Sequence, residues 1–211
     1  MSKKIIVANW KMNPASLKEA KAIFDSAKKT SSKLSKVETV ICPPAIYLSE
    51  LGRSMSKMKL GAQNVSVFDF EGAHTGEVSA KMLKNLGVKY AIIGHSERRK
   101  NGETNETINK KIGVALSSGL KVIFCVGEEK RDSDGKFAEV IETQISEGLK
   151  GFSDSFLKNL IIAYEPVWAI SGSVKSKADD PESAFKVAVL IRKTLMDFVG
   201  NEMARKIPII Y

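Results

Sequence analysis

Short apolar, β-branched runs alternate with longer stretches of helical periodicity along the whole chain, and this alternation limits the fold more than any other feature. The strand candidates are Ile5 to Asn9, Thr39 to Cys42, Leu60 to Gln63, Tyr90 to Gly94, Lys121 to Val126, Leu160 to Glu165 and Ile207 to Tyr211. Most are continuously apolar and not alternating, which suits parallel strands covered on both faces. Helical stripes fall between them. Leu17, Ala20, Phe24 and Ala27 follow Asn13-Pro14, read here as an N-cap with Pro at the first helical position. Phe137, Val140, Ile141, Ile145 and Leu149 end at Gly151. Phe185, Ala188, Val189, Arg192, Leu195, Met196 and Val199 follow Asp180-Pro181 and stop at Gly200. Shorter helices are predicted around 46–55, 78–86 and 103–117. Seven strands and six helices in alternation mean a parallel α/β fold. A doubly wound sheet and an eight-stranded barrel both fit. The chain reads as one domain over 1–211, and the polar stretch from Glu128 to Lys136 reads as a surface loop.

Composition excludes several classes. The 211 residues are 43% hydrophobic and 27% charged, which suits a globular core and not disorder. The longest apolar runs are too short to span a bilayer, and the N-terminus has no secretory pattern. Cys42 and Cys125 lie in apolar strands and read as buried thiols, which fits a reducing cytoplasm. The net charge is +9, but only six of the 33 basic residues are Arg, and aromatics do not interleave with the Lys. Nucleic-acid and membrane binding are therefore not expected, whereas attraction of an anionic metabolite is compatible with the charge.

Polar groups collect at the C-terminal ends of the strand candidates. Asn9 and Lys11 follow the first, Gln63 and Asn64 the third, His95, Ser96 and Glu97 the fourth, Glu128 the fifth and Glu165 the sixth. In a parallel barrel these ends share the face where chemistry occurs. A Glu, a neutral His and a Lys form a proton-transfer set. The carboxylate takes a proton from a carbon beside a carbonyl, the imidazole polarises that carbonyl, and the ammonium holds the developing oxyanion. Such chemistry needs no cofactor. No HExxH, CxxC or Asp-rich loop suggests a metal, and no GxSxG, GxGxxG or Walker loop appears.

Eight segments resemble the triosephosphate isomerases, in that family's order. They are Ala8-Asn9-Trp10-Lys11-Met12-Asn13, Cys42-Pro43-Pro44, Gly61-Ala62-Gln63-Asn64 and Gly72-Ala73-His74-Thr75-Gly76-Glu77-Val78-Ser79. Then come Ile92-Ile93-Gly94-His95-Ser96-Glu97-Arg98-Arg99, Gly102-Glu103-Thr104, Phe124-Cys125-Val126-Gly127-Glu128 and Ala163-Tyr164-Glu165-Pro166-Val167-Trp168-Ala169-Ile170. The resemblance implies a TIM (β/α)8 barrel that interconverts dihydroxyacetone phosphate and glyceraldehyde 3-phosphate through an enediol, in glycolysis and gluconeogenesis. It implies Glu165 as base, His95 as neutral electrophile, Lys11 and Asn9 on the substrate, and Glu97 in support. This division between a Glu base and a neutral His is a property of the family, itself a standard example of such tuning, and comes with the resemblance. The stretch after Trp168 resembles the family's lid, with Ser171 and Gly172 as substrate-binding positions. The lid departs from the family's usual Ile-Gly-Thr-Gly-Lys. It reads Ile170-Ser171-Gly172-Ser173-Val174-Lys175 and runs longer before Pro181. Gly61 to Ser79 resembles a loop that inserts into a second subunit, with Gln63, Asn64, Thr75 and Gly76 at the interface.

Barrels of this kind have eight strands and about 250 residues. The seventh strand candidate ends at Tyr211, so strand 8 and helices 7 and 8 are not represented. The expectation is a large fragment of the enzyme, inactive or weakly active alone, whose barrel is completed by a small C-terminal partner. Two alternatives stand beside it: a non-catalytic homo-oligomeric structural or binding module on the same scaffold, and a chain cut short.

Overall fold

A computed structural model of the chain describes residues 4–55, 57–132, 134–170 and 178–211. Seven strands form, all parallel, in the order β1-β2-β3-β4-β5-β6-β7. This sequential order is that of a TIM barrel. Two compact units are distinguished, one running through Ile92 with 118–121, the other covering 93–117 and 122–211.

The first unit holds β1 (Lys4–Asn9), α1 (Leu17–Ser31), β2 (Val37–Cys42), α2 (Ala45–Gly52), β3 (Lys59–Ala62) and α3 (Ala80–Asn85), and most of β4 (Tyr90–Ile93). β1 pairs with β2 from Lys4↔Val37 to Asn9↔Cys42. β2 pairs with β3 at Val40↔Lys59 and Ile41↔Leu60, and β3 with β4 at Gly61↔Tyr90 and Ala62↔Ala91. Gly61 is required by this pairing, because a Cβ there would stand 2.4 Å from the Cys42 sulfur. Ala20 and Phe24 of α1 pack on Ile41, Tyr47, Leu51 and Met58. The helix start differs from expectation. Ser16, not Asn13, caps α1, accepting the Glu19 N–H at 3.3 Å. Ser16-Leu17-Lys18-Glu19 is a capping-box sequence, and it outcompetes Asn13-Pro14. Pro14 lies outside the helix, and its carbonyl accepts the Tyr47 hydroxyl at 2.9 Å.

The second unit holds α4 (Ser96–Lys100), α5 (Asn105–Ser117), β5 (Lys121–Val126), α6 (Lys136–Gly148), α7 (Asp154–Leu157), β6 (Leu160–Tyr164), α8 (Pro181–Lys206) and β7 (Ile209–Ile210). β5 and β6 pair from Val122↔Leu160 to Val126↔Tyr164, and β6 and β7 at Ile162↔Ile209 and Ala163↔Ile210. Asp180 caps α8 as its Asp-Pro start predicts, accepting the Ser183 N–H at 2.8 Å. Gly200, at φ 76° and ψ 161°, is non-helical and breaks the run where expected, and a short second helical segment continues α8 to Lys206.

Three charges anchor the start of α5. Glu103 and Lys111 have side chains 7% and 6% exposed, and Arg98 reaches the same carboxylate oxygen. Burial alone would raise the Glu103 carboxyl, but hydrogen bonds and charge from Lys111 and Arg98 outweigh it and hold the group below its ordinary 4.5. Glu103→Gln keeps the shape and removes the charge, and should cost about 3 kcal/mol, as breaking a buried pair does. A carboxyl depressed by folding stabilises above its unfolded value and loses that effect as pH falls through its folded value. The gap between parent and variant in urea unfolding should therefore narrow below pH 4.5. A gap independent of pH, or absent at neutrality, would show that the pair contributes nothing.

Candidate active site

The end of β1 carries the candidate residues of the first unit. Lys11 has φ 54°, the left-handed region that non-glycine residues seldom occupy. Such a conformation costs about 1–3 kcal/mol and persists only where its surroundings fix it. Here they do. Asn9 Oδ1 accepts the Lys11 N–H at 2.9 Å, and the Gln63 amide donates to the carbonyls of Lys11 at 2.8 Å and Cys42 at 2.9 Å. Gln63, expected at a subunit interface, thus also ties the ends of β1 and β2 to that of β3. Within the loop that follows, Ser66 N–H donates to Val78 O at 3.0 Å, Phe68 stacks on His74 at 3.5 Å, and Phe70, Thr75 and Gly76 are exposed. Burial pushes the Cys42 thiol up to about 12, leaving it a protonated filler.

The second unit carries His95, Ser96, Glu97 and Glu165. His95 follows β4 and caps α4, a short helix that apolar periodicity did not reveal. Its Nδ1 accepts the Glu97 backbone N–H at 3.2 Å, with the Glu97 carboxylate 3.8 Å away. A nitrogen that accepts an N–H carries no proton itself, so the neutral ring holds its proton on Nε2. Nε2 lies 2.9 Å from Glu165 Oε1, although out of line for a hydrogen bond. The Ser96 backbone N–H reaches the other carboxylate oxygen at 3.4 Å. His95 is 4% exposed, whereas the Glu165 side chain keeps 25% of its surface, so the carboxylate borders solvent-reachable space. A carboxylate beside an imidazole N–H donor is a pair that can remove a proton from carbon and polarise the adjoining carbonyl.

Several supports were not singled out from sequence. The Arg99 guanidinium is tucked under the His95 turn. It donates to Gly94 O at 2.8 Å, Asn105 Oδ1 at 2.6 Å and Cys125 O at 3.3 Å. Gly94 takes φ 77° there, a turn open to glycine. Around Glu165, its N–H donates to Val126 O at 2.9 Å, and the Val167 N–H to Glu128 O at 3.0 Å. Gln144 holds Gly127 from both sides, at 2.8 and 3.1 Å. Glu128 is not part of a loop surface as expected. It is buried, and its carboxylate accepts the Trp168 indole at 2.9 Å, Arg131 Nε at 2.9 Å and the Tyr164 hydroxyl at 3.1 Å. Isolated polar letters between strand and helix could not reveal this cluster, because its members converge only once β5 and β6 pair. Ser171 and Gly172 lie outside the described residues. Among the described residues no group of His, Cys, Asp and Glu is arranged to hold a metal ion, and no helix is long and apolar enough to cross a membrane.

Comparison with known proteins bears on the same residues. The family model for triosephosphate isomerase matches residues 4–211. The triosephosphate isomerase of Dictyoglomus thermophilum is 44% identical, over 100% of this chain and 84% of that protein. That of Natranaerobius thermophilus is 43% identical over 100% of this chain and 81% of its own length. The enzyme of the same name from Dehalococcoides mccartyi is 43% identical over 98% and 80%. A match running from β1 through β7, at this identity and with four fifths of each relative covered, decides the matter: the chain belongs to the triosephosphate isomerase family, isomerases built on the TIM-barrel fold.

Proposed function

We propose that the chain interconverts dihydroxyacetone phosphate and glyceraldehyde 3-phosphate in the cytoplasm, as the triose-phosphate step of glycolysis and gluconeogenesis. The observation that carries this reading is the Glu165 carboxylate at His95 Nε2, with Nδ1 already engaged. Glu165 removes a proton from the carbon beside the carbonyl. The C–H electron pair forms the enediol double bond, and the carbonyl oxygen takes its charge toward the His95 N–H. Glu165 then returns the proton to the neighbouring carbon, while the hydroxyl proton passes to the former carbonyl oxygen, so that the former hydroxyl oxygen becomes the new carbonyl. The hydrogen travels as a proton, so no electron carrier is consumed. Motif match assigns Lys11 to the substrate's negative charge, Asn9 to its oxygens, Ser171 and Gly172 to phosphate, and Glu97 to support of His95. The reading treats residues 1–211 as parts of one catalytic domain. Substrate in D2O, followed by proton NMR, tests it. Deuterium should enter at the carbon beside the carbonyl during turnover, and its absence would remove the proton-transfer mechanism.

The same reading includes a barrel-completing segment, in this chain or another, and a second subunit engaged through residues 61–79. Apolar surface in the second unit supports the segment. Phe185 is 68% and Val189 52% exposed on α8, beside Ala188, Met196 and Ile209 in one groove. β7 pairs with β6 along one edge, and such an apolar strand edge invites a further strand. Residues 1–211 mixed with the C-terminal segment of a relative should isomerise much faster than residues 1–211 alone. Full activity of these residues by themselves would sink this part. Exposed Phe70 and the Phe68–His74 stack support the subunit contact, which sedimentation equilibrium checks. A monomer at micromolar concentration would refute it.

A further inference from the structure

Arg131 lies in the polar stretch after β5, in a position that sequence alone suggests is solvated. The fold turns it inward. Its Nε donates to Glu128 at 2.9 Å and its Nη2 to the Tyr164 hydroxyl at 2.7 Å. The guanidinium lies 4.2 Å from the centre of the Phe137 ring and 5.5 Å from that of Trp168. It is thus bonded in its plane and covered by aromatic rings, which a lysine ammonium cannot reproduce. Glu128 needs this cation. Its side chain is 2% exposed, and a buried carboxylate is costly without a paired charge. Its other donors, the Tyr164 hydroxyl and the Trp168 indole, are neutral. Burial and the Glu128 carboxylate push the Tyr164 hydroxyl up, so it remains a donor.

What Glu128 holds matters for the site. Trp168 sits in the 3-10 turn Val167–Ala169, whose first residue is two positions after Glu165. The indole bond to the Glu128 side chain and the Val167 N–H bond to its carbonyl fasten the first two residues of the turn to Glu128. We propose that Arg131 is a positioning residue for the isomerisation: through Glu128 and Trp168 it fixes the turn that follows Glu165. The proposal rests on Glu165 being the base.

The test uses Arg131→Met and Arg131→Lys with Trp10→Phe, which leaves Trp168 as the only tryptophan. Turnover is measured with the barrel-completing segment present. Arg131→Met should shift the Trp168 emission to the red and raise its quenching by acrylamide. It should also lower kcat by about 10-fold to 100-fold, as displacement of a reacting group does, with KM nearly unchanged. Arg131→Lys should keep the charge but recover only part of both properties. If Arg131→Met fails to fold by circular dichroism, Arg131→Lys is read by the same criteria. Unchanged indole emission and quenching overturn the proposal whatever turnover does, and so does a moved indole with unchanged kcat. Failure of the base assignment shows separately, as undiminished turnover in Glu165→Gln.

Discussion

Glu165→Gln should lose about 10²–10⁴-fold in kcat, the range general base catalysis supplies, while KM stays within a few-fold. The substitution conserves shape and removes the carboxylate proposed to accept the carbon-bound proton. The carboxylate lies 2.9 Å from His95 Nε2 and 3.4 Å from the Ser96 N–H. An amide can occupy that place, so substrate binding has little reason to fail. A loss confined to kcat marks an interaction made in the transition state and not in the ground state. Glu165→Asp offers a second reading of the same geometry. It keeps the base but withdraws it by one methylene, and misplacement on the order of 1 Å can cost about 100-fold. Undiminished turnover in the glutamine variant would displace Glu165 as the base. A rise in KM with unchanged kcat would make it a binding residue.

Much of this arrangement is legible in sequence because it depends on local patterns. All seven strand candidates form, since continuous apolar runs such as Tyr90–Ile93 can be satisfied only by burial on both faces. His95, Glu97 and Glu165 could be singled out because each stands where an apolar run ends. What escaped notice depends on the third dimension. The α4 helix has five residues, too few to show a period, yet it directs the Glu97 N–H at His95 Nδ1. The strain at Lys11 is written in no residue type, because Lys has no preference for positive φ; Gln63, fifty-two positions away, helps to hold it. Asn13-Pro14 was a sound local signal for a helix start that lost to a better one at Ser16. Charged letters from Glu128 to Lys136 suggested a solvated loop, and two of them, Glu128 and Arg131, instead form a covered ion pair.

Gly127→Ala should be the most damaging single-methyl change in the second unit. A Cβ at Gly127 would stand 2.2 Å from the Glu165 carbonyl oxygen and 2.7 Å from its carbon. Both are backbone atoms, so no rotamer relieves the clash. The neighbouring bonds, Glu165 N–H to Val126 O and Val167 N–H to Glu128 O, hold the two segments together on either side of that point. Gln144 grips Gly127 through both its N–H and its carbonyl, so the glycine cannot withdraw either. The methyl must therefore part β5 from the residue after β6, and that residue is Glu165, the proposed base. Overpacking in a rigid site costs about 3 kcal/mol, which for a chain of this size lowers Tm by roughly 6–12 °C. Activity at a temperature where the variant is still folded should fall further, by about 100-fold, because Glu165 moves with the strand end. Gly52→Ala provides the contrast. Its nearest contact is the tip of the Leu60 side chain at 3.2 Å, which can give way. Calorimetry and kinetics on the two variants separate the cases. A Gly127→Ala protein with parental Tm and kcat would mean that β5 and the base are not pressed together as described.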